Sequence, residues 1–330
     1  MVGVGNRTIQ TVTLHEPSFA IVLDGFEYAG FESWLGVGKL HPQRFNFAKQ
    51  CCEEVRARAG ALQSAKLMVP ISRSEIGAFH YPSRLCESVS NSRLLVVVAT
   101  YNEIDNLPRL VLQISELLPD ADVLVIDDAS PDGTGNWCEQ SAAQYPNLSV
   151  LHRSAKLGLG TAAVAGFKYA KDQGYDLVAT MDADLSHDPK SLAEMFELSL
   201  HSDCADIGVF VGSRYVTGGG TEGWPFIRRL ASRAVNKFAR TMLKLKTYDN
   251  SGAFRIYRSS ALDKIDLQQL RSTDFAYLEE ILWRLSKQEV AMMEYPILFR
   301  NRELGRSKTN PILGLRVFWQ IMMMGIGIWK

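Results

Sequence analysis

Apolar runs alternating with helical patterns constrain this chain more than any other feature. "LLVVVATYNE" begins at Leu94, "DVLVIDDAS" at Asp122, "LSVLHRS" at Leu148 and "YDLVATMDADLS" at Tyr175. Runs that stay apolar without alternating are typical of parallel strands buried on both faces. Helical stretches are predicted between them, over about 106–118, over about 136–144, and through "KLGLGTAAVAGFKYAKDQG" after its Gly-rich turn. Strands and helices in alternation, joined by right-handed crossovers, give an α/β fold with a mostly parallel sheet flanked by helices. Ligands of such sheets bind beyond the carboxyl ends of the strands. Three polar clusters fall there: Thr100 to Glu103, Asp127 to Ser130, and Asp182 to Ser186.

The third cluster, "MDADLSHDP", carries two carboxylates one residue apart, Asp182 and Asp184. If the segment stays extended, alternate side chains point the same way, and both face one cation. A hard divalent ion held by one or two carboxylates, with water and substrate phosphates completing its shell, is how Mg²⁺ or Mn²⁺ serves a nucleotide. A solvated acidic turn is the competing reading of Asp-x-Asp alone; three acidic strand ends converging on one crevice favour the site.

Composition removes other classes. The chain has 330 residues with 36 acidic and 36 basic side chains, so no net charge recommends a nucleic acid partner. Its five cysteines have no paired zinc spacing, and an odd number suggests reduced thiols. No signal peptide is expected at the amino terminus. Residues 1–92 lack a sustained period apart from a candidate helix over 46–67, and are read as an extension of unknown role.

The carboxyl half begins with a triple-Gly loop, Gly218 to Gly220. A helix follows whose apolar stripe is Ile227, Leu230, Ala231, Ala234, Val235 and Phe238, with Arg228 and Ser232 sharing the face beside it. "DNSGAFRIYR" reads as a turn into a strand, "FAYLEEILWRLSK" as a helix and "YPILFRNR" as a strand. The segment from Ile312 to Trp329 is apolar apart from Arg316 and Gln320. At about 27 Å as a helix it is marginal for crossing a bilayer. With its tryptophans it is expected to lie at a membrane surface, a core-packed helix being the alternative.

The motifs "VVVATYNEIDNLP", "VLVIDDASPDGTG", "KLGLGTA", "MDADLSHDP" and "GSRYVTGG", with "WPFIRRLASRAVNKFAR", "DNSGAFRIYR", "YLEEILWR" and "FRNRELGRSK", resemble the inverting family 2 glycosyltransferases over about residues 94–310. Among these the chain looks most like polyprenol (dolichol) monophosphate mannose synthases. The resemblance implies a GT-A domain over residues 93–310 and a membrane-associated helix over 311–330. It implies that Ala99, Tyr101, Asn102, Glu103, Asp128, Lys156, Asp182, Ala183 and Asp184 bind the sugar nucleotide, and that Arg302 and Lys308 close over its phosphates. Asp182, Asp184 and Ser186 would hold the metal, Ser186 standing where the mannose synthases often have Gln. Arg214, Arg228 and Ser232 match positions that receive a lipid phosphate, and Asp184 and Arg214 stand as the catalytic pair. The implied reaction moves mannose from GDP-mannose to a polyprenyl phosphate, with inversion, at the cytoplasmic face of a membrane as a peripheral or monotopic protein. An acceptor that is already ionised needs arginines rather than a general base.

Other readings compete. The same scaffold serves a UDP-glucose-dependent polyprenyl-phosphate glucosyltransferase, and a non-catalytic sugar-nucleotide-binding protein would share the motifs. A dinucleotide oxidoreductase needs Gly-x-Gly-x-x-Gly after the first strand; this chain has "ATYNE" there.

Overall fold

The computed structural model describes residues 21–23, 26–28, 92–301 and 311–329. The candidate helix at 46–67, Cys51, Cys52, Cys86 and the loop holding Arg302 and Lys308 lie outside the described residues. The chain divides into two compact units, residues 1–66 and 67–330. In the first, β1 (Ile21–Leu23) pairs antiparallel with β2 (Phe26–Tyr28).

The second unit is built on seven strands. In chain order they are β3 (Leu94–Thr100), β4 (Asp122–Asp127), β5 (Leu148–His152), β6 (Leu177–Asp182), β7 (Ile207–Ser213), β9 (Arg255–Arg258) and β10 (Ala291–Pro296). Their spatial order is β10-β7-β9-β6-β3-β4-β5. Only β9 runs against its neighbours, antiparallel to both β6 and β7. The short β8 (Gly220–Thr221) and β11 (Leu298–Phe299) form a parallel pair of their own. The expected mostly parallel α/β sheet is therefore present.

The helices that connect and cover it are α1 (Leu107–Leu117), α2 (Thr134–Ser141), α3 (Leu159–Asp172), α4 (Pro189–Leu200), α5 (Phe226–Leu243), α6 (Ser259–Leu262), α7 (Tyr277–Lys287) and α8 (Pro311–Gly325). Two apolar clusters fill the two faces of the sheet. One joins Val97, Leu124 and Val178 to α3, α5, α7 and α8; the other joins Val96, Val98 and Val125 to α1 and α4. Small residues let α3 lie close. A Cβ added at Gly166 would sit 2.5 Å from Val97 Cγ1, so any larger residue there must push the helix off β3.

The apolar stripe expected of α5 does not enter the core: Ile227, Leu230, Ala231, Ala234 and Val235 are exposed, Ile227 at 78%, and Phe238 is half-buried, while the buried residues of the helix are Asn236, Ala239 and Leu243. α8 packs on α5 through a stacked Phe238–Phe318 pair at 4.3 Å. It leaves Leu315, Trp319, Ile326 and Ile328 exposed. Among the described residues no helix is long and apolar enough to cross a membrane.

Candidate functional site

The carboxyl ends of β3, β4 and β6 lie side by side. In the ladders Ala99 stands opposite Asp182, and Thr100 opposite Asp127. Just beyond each end sits a non-glycine residue with left-handed backbone: Asn102 (φ 57°), Ala129 (φ 54°) and Leu185 (φ 59°). Such conformations are costly for residues with a Cβ and gather where a site over-determines the chain. Hydrogen bonds hold these turns. Thr100 Oγ1 and Ser130 Oγ donate to Asp127 Oδ1 at 3.1 and 2.5 Å. Asn102 N donates to Ser130 Oγ at 3.0 Å, and Glu103 N to Thr134 Oγ1 at 3.0 Å. Asp132 accepts from Thr134 and from Ile104 N, and these bonds hold its carboxyl below its ordinary value even though burial, the largest influence, acts upward.

The candidate nucleotide residues divide into open and locked ones. The Lys156 ammonium lies 4.2 Å from the centre of the Tyr101 ring, bringing two distant motifs together at the mouth of the crevice. Asp128 is buried and accepts from Arg153 Nε at 2.5 Å. Arg153 also donates to Thr161 Oγ1 (2.7 Å) and Gly158 O (3.0 Å), and so ties the β4 end to the "KLGLG" turn. That turn is clasped from outside. Gly158 has φ +100°, and a Cβ there would meet Thr273 O at 2.3 Å, which restricts the position to glycine.

Asp182 and Asp184 are related differently from the strand alternation expected of them. β6 ends at Asp182, and Ala183 and Asp184 form a turn. The Asp182 side chain is 39% exposed, while Asp184 is buried. Asp184 Oδ1 accepts from Ser186 N at 3.1 Å, and Ser186 O accepts from Arg300 N at 3.1 Å. Ser186 is itself buried, and these main-chain bonds orient Asp184. Asp184 also lines a cavity of about 160 Å³ with Arg109, Gln113, Asp188 and Arg300.

His187 was missed in the sequence. Its Nδ1 accepts from Asp182 N at 3.2 Å, and its ring stacks on Phe254 with centroids 4.9 Å apart. Burial lowers its pKa, against the upward pull of Asp182 and Asp184. A neutral ring that accepts at Nδ1 carries its proton on Nε2.

No group of three or more His, Cys, Asp or Glu residues is placed to hold a metal among the described residues. Two hard carboxylate donors at a strand end fit an ion that completes its shell with water and phosphate oxygens, as Mg²⁺ and Mn²⁺ do. They do not suit a closed structural site such as that of zinc.

Arg214 is held in place by a buried partner. Its Nε and Nη2 donate to Asp249 Oδ2 and Oδ1, both at 2.7 Å, and its backbone N donates to Oδ2 at 3.0 Å. Both side chains are almost wholly buried. Asp249 takes up one edge of the guanidinium, Nε and Nη2. Burial opposes charge on both partners, yet their mutual attraction raises the pKa of Arg214 and lowers that of Asp249. Ser232 Oγ accepts from Tyr215 O–H at 2.7 Å. Arg228 lies with its guanidinium 4.0 Å from the Trp224 ring centre and donates to Asn301 Oδ1 at 3.3 Å. Arg316 of α8 stands 3.9 Å from Asp274 on the loop before α7.

Carboxylates at the strand ends, with Arg214 near enough to feel the charge of Asp182, suit a donor with a diphosphate and an acceptor that is an anion. Comparison with known proteins supplies the class. The sequence profile named Glycosyl transferase family 2 matches residues 95–266. The chain belongs to this family. It is 40% identical over 218 residues to the undecaprenyl-phosphate mannosyltransferase of Micrococcus luteus, covering 66% of this chain and 88% of the relative. It is 38% identical over 221 residues to the polyprenol monophosphomannose synthase of Mycolicibacterium smegmatis, covering 66% and 81%. The fold of this family 2 glycosyltransferase is like that of glucosyl-3-phosphoglycerate synthase from Mycobacterium tuberculosis, solved with Mn²⁺, UDP and phosphoglyceric acid. That match has a TM-score of 0.54 and 16% identity, and covers 76% of this chain and 85% of the other.

Proposed function

We propose that this chain transfers mannose from GDP-mannose to a polyprenyl phosphate, with inversion, giving a β-linked lipid phosphomannose. The observation that carries the reading is the set of carboxylates at the ends of β4 and β6, Asp127 and Asp182 with Asp128 and Asp184 just beyond, in a chain 40% identical to a mannosyltransferase of undecaprenyl phosphate. Asp182 and Asp184 would hold Mg²⁺ or Mn²⁺. When bound, the metal neutralises charge on the departing diphosphate. Ala99, Ala183 and the turn at Asn102 and Glu103 border the nucleotide, and Tyr101 and Lys156 close its mouth. Arg228 draws in the acceptor phosphate beside Ser232, while Arg214, fixed on Asp249, supports the wall from behind. An ionised phosphate oxygen attacks without surrendering a proton, so the reaction uses no general base.

The enzyme works at the cytoplasmic face of a membrane as a peripheral or monotopic protein. The exposed apolar residues of α8, with Phe226, Ile227 and Leu230 of α5, form the face that meets the lipid. The test is acceptor choice. With labelled GDP-mannose and Mn²⁺, label should pass to a polyprenyl phosphate and not to the matching polyprenol. Transfer to the alcohol in preference would sink the phosphate-acceptor reading.

A further inference from the structure

Trp224 sits on the loop between β8 and α5 and is 9% exposed. Its indole Nε1 is buried and has no hydrogen-bond acceptor among the described residues. A buried N–H left unpaired is costly, so such groups in native folds need a reason. The surroundings supply one. The guanidiniums of Arg228 and Arg214 lie 4.0 and 5.5 Å from the centre of this ring. Phe299 meets it edge-on at 5.3 Å and fixes its plane.

Trp224 directly precedes the start of a long helix in the chain. Pro225 is the N-cap of α5, no side chain caps that end, and its first turn holds no acidic residue. The first N–H groups of a helix have no intrahelical partners, and the helix dipole favours an anion there. Arg228 comes from this same first turn and lies over the indole, so the orphan donor, the cation and the uncapped helix end belong to one five-residue stretch of chain. Donor N–H groups, a cation and a positive dipole end all call for one kind of ligand, an anion with several acceptor oxygens.

We propose that Trp224 binds the acceptor phosphate, its Nε1–H donating to a phosphate oxygen held by Arg228 and the amino end of α5. The inference rests on the phosphate-acceptor reading above and adds a residue to it. Arg228 now covers the indole and bonds to Asn301. On binding, its guanidinium turns from Asn301 to the phosphate.

Trp224→Phe keeps the ring that packs on Phe299 and under Arg228 but removes the donor. It should raise the acceptor KM about tenfold and leave the KM for the sugar nucleotide unchanged. A purely structural role would move both. In protein labelled with ¹⁵N-tryptophan, one of six indole N–H signals should shift downfield with a short-chain prenyl phosphate and not with the prenyl alcohol. That signal should be missing from Trp224→Phe. Should that variant not fold, the parent protein still answers, because the shift should be present in it and lost in Arg228→Ala. An unchanged acceptor KM, an equal response to the alcohol, or six unmoved signals would overturn the inference while transfer to the phosphate lipid stands. Absence of transfer to any phosphate lipid would instead overturn the underlying reading.

Discussion

Asp249→Asn should strip the buried Arg214 of its counter-charge while keeping the shape of the side chain. In the native protein Asp249 accepts three bonds from Arg214, at 2.7, 2.7 and 3.0 Å. Its own N–H donates to Glu294 Oε1 at 3.0 Å. The Asp249 side chain has no exposed surface and Arg214 has 7%, so water cannot take over. Breaking a buried pair by removing one charge costs about 3–5 kcal/mol. In a protein of this size about 1 kcal/mol moves the melting temperature by roughly 2–4 °C, so a fall of roughly 6–20 °C is expected by circular dichroism. Replacing both partners with apolar residues, Arg214→Met with Asp249→Leu, should recover part of the loss. The same pair fixes a pH dependence. Asp249 is held below its ordinary 3.8, so its contribution is complete above that value and is lost as pH falls through the folded-state value. A melting temperature within about 2 °C of the parent, with activity alone reduced, would refute the structural role and return Arg214 to the substrate.

Asp184→Ala should abolish transfer with the melting temperature little changed; near-normal turnover with Mg²⁺ or Mn²⁺ would remove it from the metal site. Glu279 is fully buried and burial pushes its carboxyl up to about 8 from 4.5. The folded state therefore holds a proton that the unfolded chain releases, and stability should fall between these pH values by at most about 1.4 kcal/mol per unit. Glu279→Gln should flatten that slope in urea titrations at pH 5, 6.5 and 8, and an unaltered slope would show Glu279 ionised in the fold. Deleting residues 312–330, or placing Asp at Ile227 and Leu230, should reduce pelleting with liposomes; a parent protein that stays wholly in the supernatant would contradict the membrane face. A chain beginning near Ser90 should fold and transfer sugar, and loss of active enzyme would give residues 1–92 a structural part.

The sheet was legible because its strands are buried on both faces. Val96 to Val98 and Leu124 to Ile126 must be apolar without alternation, and the polar residues that end each run mark the crevice. What could not be read is which polar groups hold one another. The motifs around Arg214 and Asp249 do not say that the two pair, and only the fold brings them together across 35 positions. Arg153 stands near the end of "LSVLHRS" and His187 inside "MDADLSHDP", where the aspartates draw the eye, and neither has a periodicity of its own. Asp182 and Asp184 were assigned to one extended face, but the chain turns after Asp182. The α5 stripe was visible as apolar spacing, yet spacing does not say whether the partner is protein or lipid. Ile227 and Ala239 belong to one helix and end in different surroundings.

The central claim is the identity of the transferred sugar and the geometry of its transfer. One acceptor, a polyprenyl phosphate, offered together with Mn²⁺ to labelled GDP-mannose, UDP-glucose and UDP-N-acetylglucosamine in parallel, tests it most directly when the anomeric carbon of the lipid product is read by NMR. The account expects label in the lipid from GDP-mannose alone, attached as the β-anomer. Preferred transfer from UDP-glucose, or an α-linked product, would contradict it.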